Sequence, residues 1–205
     1  MLDGIIFDCD GVLFESREAN LAYYNAILEE FGEAPVTAAD TRRAHLCHTA
    51  ASPEVFRVLL GEERTAAALE AARLLDYRRF IPAMRPEPDV CEVLAELSAR
   101  YPLAIATNRG GSMHEILTHF QLADYFQAVV TSRDVPRPKP YPDMLIEASR
   151  QLGIAPDRLL FVGDSELDQA AAAAAGMRFA AYRNNLRADL NVAGHQDLLD
   201  YFSEG

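Results

Sequence analysis

Five short, almost uninterrupted apolar segments, separated by segments of helical character, constrain the fold of this chain more than any other feature. The apolar segments cover residues 4–7, 103–106, 128–131, 159–162 and 178–182. The last four each follow a predicted helix, over residues 87–100, 112–121, 142–152 and 165–175. Apolar strands that alternate with helices are typical of a parallel sheet covered on both faces. The sequence therefore predicts an α/β fold: a Rossmann-like parallel sheet core with helices on both faces.

The segment between the first two predicted strands is too long for an ordinary crossover. Residues 15–81 carry no strand pattern, and they have helical character over 16–31, 53–60 and 62–80, with a basic segment at 42–48. A right-handed crossover needs only one helix and short loops. We therefore predict an inserted α-helical cap domain at residues 15–81, in a core formed by residues 1–14 and 82–205.

Local signals mark several helix ends. Ser112 and Glu115 match the spacing of a capping box, which predicts a helix start after two glycines. Ser52 before Pro53 predicts a second start, because proline is favoured in the first helical turn. Gly176 ends an alanine-rich segment and is a predicted C-cap.

Charge limits the ligands that this chain can bind. Nineteen basic residues stand against 31 acidic ones, which gives a net charge of −12. A field of that sign repels polyanions, so we expect no nucleic-acid partner. A small phosphorylated metabolite is still compatible, because local cations or a bound metal override the global field. Oligomeric state cannot be read from the composition.

Cysteine usage and hydropathy bear on the cellular location. Cys9, Cys47 and Cys91 form no C-x-x-C pair and no repeated spacing, which is typical of reduced thiols rather than a disulfide framework. The N-terminal segment does not resemble a signal peptide, and no apolar segment approaches the length of a membrane span. We expect a cytoplasmic protein without a membrane partner.

Polar residues that could take part in catalysis or ligand binding follow the predicted strands. In open parallel sheets, ligands bind beyond the carboxyl ends of the strands, so these side chains are expected to converge at one edge. They are Asp8 and Asp10 after the first strand, Thr107 and Asn108 after the second, Lys139 after the third, and Asp164 and Asp168 after the fourth.

The two aspartates after the first strand suggest a metal site. Asp8 and Asp10 are two residues apart, so both side chains can point to one side of an extended segment, and Gly11 permits a sharp turn after them. Clustered carboxylates repel each other unless a cation lies among them. Oxygen ligands suit Mg²⁺. The alternative is an aspartate-rich turn after a buried strand.

Other residues at the same edge have two interpretations each. Lys139 lies between two prolines that stiffen its loop, which presents an amine for a developing phosphoryl charge; it is otherwise a solvated loop lysine. Thr107 is a hydroxyl donor or an ordinary strand-end threonine. Asp168 supports a metal site with Asp164, or it completes a capping box with Ser165.

The chain resembles the haloacid dehalogenase superfamily of hydrolases over essentially its whole length. Four motifs in order carry the resemblance: Asp8-Cys9-Asp10-Gly11-Val12-Leu13, Thr107-Asn108-Arg109, Lys139-Pro140 and Gly163-Asp164-Ser165-Glu166-Leu167-Asp168. The helical insertion is similar to the cap of the phosphoglycolate phosphatase-like and β-phosphoglucomutase-like branch. The resemblance implies a magnesium-dependent phosphatase that hydrolyses a small phosphate monoester through an aspartyl-phosphate intermediate.

The resemblance also implies roles for individual residues. Asp8 would attack phosphorus, and Asp10 would protonate the leaving alcohol and then activate water. Thr107 and Lys139 would steady the transferring phosphoryl group, with Asn108 as a further substrate-binding residue.

The implied metal is Mg²⁺. The side chains of Asp8 and Asp164 and the backbone carbonyl of Asp10 would hold it, and Asp168 would support the metal or orient Lys139.

Several rival functions share this resemblance. The dehalogenases and the phosphonate-cleaving branch lack an aspartate at the position of Asp10, and the latter uses a cap lysine, whereas no lysine precedes Lys139 here. A sugar phosphomutase would carry a histidine in place of Asn20. A non-catalytic phosphometabolite-binding protein would not need the full set of catalytic groups.

The basic segment of the insertion is the candidate for leaving-group recognition. Residues 41–48 concentrate arginines and histidines in an otherwise acidic chain, and Arg43 and His45 are the predicted substrate-binding residues there. The alternative is a solvated helix face with one buried histidine.

Overall fold

The computed structural model describes residues 2–203 and contains a mixed set of long and very short strands. In chain order, the strands are β1 (Gly4–Phe7), β2 (Phe14–Glu15), β3 (Arg85–Pro86), β4 (Leu103–Thr107), β5 (Ala128–Thr131), β6 (Leu159–Gly163), β7 (Arg178–Tyr182) and β8 (Leu190–Val192). The α-helices are α1 (Arg17–Glu30), α2 (Thr41–Thr49), α3 (Ser52–Leu60), α4 (Glu62–Leu74), α5 (Val90–Ser98), α6 (Met113–His119), α7 (Asp143–Leu152), α8 (Glu166–Ala175) and α9 (His195–Ser203).

Six of the strands form one parallel sheet in the order β5-β4-β1-β6-β7-β8. Strand β1 lies inside the sheet, where Phe7 is in register with Ile105 of β4 and with Val162 of β6. The carboxyl ends of these three strands are therefore level, and the residues that follow them share one edge. The predicted α/β fold is confirmed. The sequence missed β8, which has only three residues, and only one of them, Val192, is buried.

Apolar layers cover both faces of the sheet, because alternate residues of each strand point to opposite sides. Ile5 and Phe7 pack in one layer with α5, α6 and α9, whereas Ile6 packs in the other with α7 and α8. Within α8, Ala171 and Ala172 are fully buried. The alanine-rich segment is thus a helix that approaches the sheet closely.

Helices α1 to α4 form the insertion, and they have an apolar cluster of their own. The antiparallel pair β2–β3 brings the two ends of the insertion together at its base. The cluster consists of Tyr24, Ile27, Leu28, Val36, Cys47, Val55, Phe56, Leu60 and Ala68. This separate cluster supports the cap at residues 15–81, whose exact boundaries stay a prediction.

Two predicted helical features of the sequence are wrong. The helix predicted over 62–80 ends at Leu74, and a short 3₁₀ turn follows in which the Asp76 side chain accepts from the Arg78 amide. The Ser112 capping box does not form, because Ser112 already has helical backbone angles (φ −79°, ψ −10°), whereas a capping serine needs extended ones. Gly176 is a left-handed C-cap, as predicted. Among residues 2–203, no helix has the length and apolarity to cross a membrane.

Candidate active site

A cavity of about 510 Å³ lies between the carboxyl edge of the sheet and the helical insertion. Asp8, Thr107 and Arg109 line it from the sheet side, and Tyr23 and His48 line it from the insertion. The predicted convergence at the strand ends therefore produces a closed-in space with walls from both parts of the chain.

Three carboxylates meet at the floor of this region. Asp8, Asp164 and Asp168 each offer an oxygen, and these oxygens lie within 4.8 Å of one another. Lys139 Nζ lies 2.8 Å from Asp8 Oδ1 and 2.6 Å from Asp168 Oδ1. One ammonium therefore stands against three carboxylates and contacts two of them, and Asp8, Asp168 and Lys139 are all buried. This cluster is called the Asp8 cluster below.

The electrostatics of the Asp8 cluster leave an excess of negative charge. Burial raises the pKa of Asp8 to about 7, and Asp168, Asp10 and Asp164 add to the rise, although Lys139 opposes it. Burial opposes the charge of Lys139, but Asp168 and Asp8 raise its pKa above the ordinary value. A further positive charge would keep Asp8 ionised at neutral pH. The oxygen donors and the charge excess fit a hard divalent cation such as Mg²⁺.

Asp168 forms the capping box that was one of its predicted alternatives, and it also contacts Lys139. Its Oδ2 accepts from the amide (3.1 Å) and the hydroxyl (2.6 Å) of Ser165, so the capping box at the start of α8 is present. Its Oδ1 faces the ammonium of Lys139. Because both oxygens are engaged, the geometry favours Asp168 as a residue that orients Lys139.

Asn108 fixes the backbone of Lys139. Its Oδ1 accepts from the Lys139 amide at 2.9 Å, and its Nδ2 donates to the carbonyls of Lys139 (3.1 Å) and Thr49 (3.0 Å). Lys139 is the only lysine in the chain, and it also donates to the carbonyl of Ala106. The amide of Asn108, predicted to bind substrate, is thus occupied in positioning Lys139 and joining the sheet to the insertion.

The side chain of Asp10 does not join the clustered carboxylates. Its Oδ1 accepts from Arg109 Nη2 at 2.5 Å, from Asn20 Nδ2 at 3.1 Å and from the hydroxyl of Ser16. Burial opposes ionisation, but Arg109 and the hydrogen bonds lower the pKa of Asp10. The hydroxyl of Ser16 is used here, and so it does not cap α1.

Arg109 is the residue to which the sequence assigned no role. It is 8% exposed, and its Nη2 also donates to Asn20 Oδ1 at 2.8 Å while its Nη1 donates to the Tyr77 hydroxyl at 2.5 Å. Arg109 therefore links Asp10 of the sheet edge to two residues of the insertion. We call Asp10, Ser16, Asn20, Tyr77 and Arg109 the Asp10 network. The sequence did contain a signal for a role of Arg109. This arginine directly follows the strand-end pair Thr107-Asn108, beside predicted acidic residues.

The basic segment of the insertion reaches the cavity through a residue other than those predicted. Arg43 Nη1 lies 3.5 Å from Asp40 Oδ2. His45 Nε2 lies 2.8 Å from Glu166 Oε1, and about half of the His45 side chain is exposed. Neither residue lines the cavity. His48, at the end of α2, is buried against it. The geometry matches the alternative of an exposed helix face with one buried histidine.

Glycine is required at position 11. Gly11 has a φ of +76°, and a Cβ there would collide with the Asp164 carboxylate and lie 3.1 Å from His48 Nε2. The missing side chain lets the first loop, the Asp164 carboxylate and the insertion meet at one point.

Comparison with known proteins decides the family. A family model described as haloacid dehalogenase-like hydrolase matches residues 5–182. The chain belongs to the haloacid dehalogenase-like hydrolase family. Phosphoglycolate phosphatase of Rhodobacter capsulatus is 33% identical over 195 residues, covering 91% of this chain and 87% of its own. Phosphoglycolate phosphatase of Escherichia coli O157:H7 is 32% identical over 201 residues, covering 84% and 78%.

Solved structures of haloacid dehalogenase-like hydrolases share the fold. A subfamily IA hydrolase from Geobacter sulfurreducens PCA has a TM-score of 0.85 and 36% identity, over 98% of this chain and 100% of that one. A β-phosphoglucomutase from Clostridium difficile has a TM-score of 0.84 at 18% identity, over 100% and 96%, and it supports the fold alone. The predicted family and the predicted class, a phosphoric monoester hydrolase, are confirmed. The roles of individual residues stay predictions.

Proposed function

We propose that this phosphatase is Mg²⁺-dependent and hydrolyses a small phosphate monoester through an aspartyl-phosphate on Asp8. The observation that carries the proposal is the Asp8 cluster. It combines a buried carboxylate nucleophile with an amine fixed beside it and with a charge excess that a divalent cation would neutralise. Covalent catalysis by a carboxylate divides one difficult displacement into two easier steps.

The metal would be held by the side chains of Asp8 and Asp164 and by the backbone carbonyl of Asp10. Bound there, it would offset charge on the phosphoryl oxygens and keep Asp8 ionised. Asp168 acts on Lys139 in this proposal, because its two oxygens are already occupied by Ser165 and Lys139.

In the first step, a carboxylate oxygen of Asp8 bonds to phosphorus while the bond from phosphorus to the leaving oxygen breaks. Asp10 is ionised in the free protein, so it first takes a proton from the phosphate monoanion of the bound substrate and then passes it to the leaving alkoxide. Lys139 and Thr107 hold the phosphoryl oxygens during the transfer. Asn108 fixes the backbone of Lys139, and Thr107 is buried at the end of β4. Most of this contribution is positioning and charge stabilisation.

In the second step, Asp10 takes a proton from a water molecule as its oxygen attacks phosphorus. The bond between Asp8 and phosphorus breaks, so Asp8 is regenerated and inorganic phosphate leaves. Asp10 lines the same cavity as Asp8 on the side of the insertion, where the leaving group and then the water would lie.

The substrate class that fits best is a short phosphate ester whose leaving group carries a second anion, as in 2-phosphoglycolate. Two curated relatives of this chain, from E. coli O157:H7 and from Rhodobacter capsulatus, are named phosphoglycolate phosphatases. Arg133 lines the cavity and has no side-chain ion-pair partner among residues 2–203, so its guanidinium is free for an anion. A phosphomutase would return the phosphoryl group to its substrate instead of releasing phosphate. The cytoplasmic location and the absence of a nucleic-acid partner stay predictions.

The test is phosphate release in Mg²⁺ from a panel of esters with anionic and neutral leaving groups. We expect the highest kcat/KM for phosphoglycolate. Asp8→Asn should reduce release to background, while the matched exposed variant Asp124→Asn keeps normal turnover. An Asp8→Asn protein with a tenth of normal turnover, a barrier change of only about 1.4 kcal/mol, would contradict the covalent step. Isomerised substrate without phosphate release would indicate a mutase.

A further inference from the structure

The imidazole of His48 contains a polar atom without a partner at the wall of the cavity. His48 is 8% exposed, and its Nε2 has no hydrogen bond within the described residues. A buried donor left unsatisfied costs about 1–3 kcal/mol. Such an atom beside an active-site cavity indicates that a bound molecule supplies the missing acceptor.

The orientation of this imidazole is determined from the sheet edge. Arg109 can only donate hydrogen bonds, so the oxygen of the Asn20 amide must face it, at 2.8 Å. The amide nitrogen of Asn20 then faces His48 Nδ1, at 3.4 Å. Because an amide nitrogen can only donate, the neutral imidazole accepts at Nδ1 and carries its hydrogen on Nε2. A protonated imidazole carries a hydrogen there as well, so Nε2 is a donor in both states.

The donor points to the place where the phosphoryl group is proposed to bind. His48 Nε2 lies 3.8 Å from Asp164 Oδ2, which is too long for a hydrogen bond. It lies beside Gly11, where the missing Cβ lets His48 and the Asp164 carboxylate come this close together. Asp8 and Thr107 line the same cavity from the sheet side, and Lys139 Nζ lies 2.8 Å from Asp8 Oδ1 behind them. His48 is therefore the group of the insertion that faces the Asp8 cluster.

We propose that His48 is a phosphoryl-binding residue whose Nε2–H donates a hydrogen bond to an oxygen of the bound phosphoryl group. Asn20 is the positioning residue that holds the ring, and Arg109 in turn holds Asn20. The phosphoryl group is then held from the insertion by His48 and from the sheet by Lys139 and Thr107. This inference rests on the proposed function, because it takes the Asp8 cluster as the phosphoryl site.

Calorimetric binding of inorganic phosphate at saturating Mg²⁺ tests the proposal without turnover. His48→Phe should weaken phosphate binding about tenfold, which is the loss expected for one hydrogen bond to a charged group. His48→Gln places an amide donor near the position of Nε2 and should restore most of that loss. The exposed His114 lies outside the cavity, so His114→Phe and His114→Gln are matched controls that should change nothing. The Kd of Mg²⁺ measured without phosphate should stay within about twofold in all variants.

Three results would overturn the proposal. Unchanged phosphate affinity in His48→Phe would make the unpartnered atom structural. A weakened Mg²⁺ affinity that accounts for the whole loss of phosphate affinity would place the effect on Asp164. If both His48 variants misfold, the His48 Nε2–H resonance of the unaltered protein decides, and its failure to shift when phosphate binds in Mg²⁺ would contradict the contact. A protein that binds phosphate through His48 but hydrolyses no ester would contradict only the proposed function.

Discussion

Asp8 and Asp10 are separated by one residue, yet they lie in opposite electrostatic surroundings. Asp8 shares its cluster with two further carboxylates and one ammonium, and its pKa is raised to about 7. Asp10 is bound by Arg109, Asn20 and Ser16, and its pKa is lowered. The first surroundings have too much negative charge, and the second are balanced within the protein. A cation bound at Asp8 would offset that excess, whereas Asp10 already has its partner.

Backbone geometry at the end of β1 produces this difference. Asp8 continues the direction of the strand, with its amide bonded to the Val162 carbonyl of the neighbouring β6. The chain then turns at Gly11, which has a positive φ, and the Asp10 side chain is directed to the insertion. The side chain of Asp8 therefore lies with the carboxylates at the strand ends, and that of Asp10 lies against the insertion, which separates the proposed nucleophile from the proposed acid–base group.

Removal of the metal should have the largest effect on this comparison. We expect excess chelator to lower turnover at least about 10³-fold, because charge neutralisation by a metal supplies several kcal/mol at such a site. Mg²⁺ should restore turnover, and Ca²⁺ should restore less than about a tenth of it, since its looser coordination misplaces the attacking oxygen. Full turnover in excess chelator would mean that the charge excess at Asp8 is not compensated by a metal.

Asp10→Asn should separate acid–base chemistry from metal binding. We expect turnover of aliphatic esters to fall about 10²- to 10³-fold, because their leaving oxygen needs a proton. With p-nitrophenyl phosphate, whose leaving group departs as a stable anion, the aspartyl-phosphate should still form. Stopped-flow absorbance should then show a burst of about one equivalent of p-nitrophenol, followed by a slow phase.

The Mg²⁺ affinity of Asp10→Asn provides the control for that experiment. We expect it to be close to that of the unaltered protein, since only the backbone carbonyl of residue 10 is proposed as a ligand. Loss of Mg²⁺ binding without a burst, in a folded protein, would make Asp10 a side-chain metal ligand instead.

The sheet and its polar edge were predictable because both depend on local patterns. Apolar strands of four or five residues give Asp8, Thr107 and Asp164 their positions at strand ends, and strand pairing then brings them together. The Ser165–Asp168 capping box is likewise a local pattern, and it is present. Local sequence patterns were therefore enough to predict the sheet, its polar edge and the start of α8.

The cap side of the site was not predictable in the same way. Which of the histidines in α2 reaches the cavity depends on how that helix is rotated against α1 and the sheet edge, which is tertiary packing. The helix has a mixed polar pattern, so His45 and His48 were equivalent by sequence. Arg109 was not assigned a role because its partners Asn20 and Tyr77 are 89 and 32 residues away.

Arg109→Met should reveal how much Asp10 depends on its partner for stability. Removing one member of a buried ion pair leaves an uncompensated charge, so we expect a loss of about 4 kcal/mol in the free energy of unfolding. Arg150→Met removes an exposed pair with Glu147 and should cost far less, because water screens such a pair. Urea unfolding of both variants measures the difference. Equal effects would mean that water already screens the Asp10 network.

The pH dependence of stability without metal should show the smallest effect, and it tests the Asp8 cluster directly. The carboxyl group of Asp8 has a pKa of about 7 in the folded protein, against about 3.9 in an unfolded chain. Between these values the folded state binds more protons than the unfolded state. The contribution of Asp8 is therefore fully present below about pH 4 and is lost as the pH rises through 7. In chelator, we expect the free energy of unfolding to decline over this interval by on the order of 3 kcal/mol.

Asp8→Asn should remove the decline, because it has no titrating group, and saturating Mg²⁺ should remove it by holding the carboxylate ionised. Asp10→Asn should retain it, because Asp10 is already ionised throughout the interval. Urea unfolding from pH 4.5 to pH 8, taken as the difference between the unaltered protein and Asp8→Asn, isolates this contribution from other titrating groups. A flat difference would show that Lys139 alone balances the cluster, and the two aspartates would then differ in geometry but not in charge.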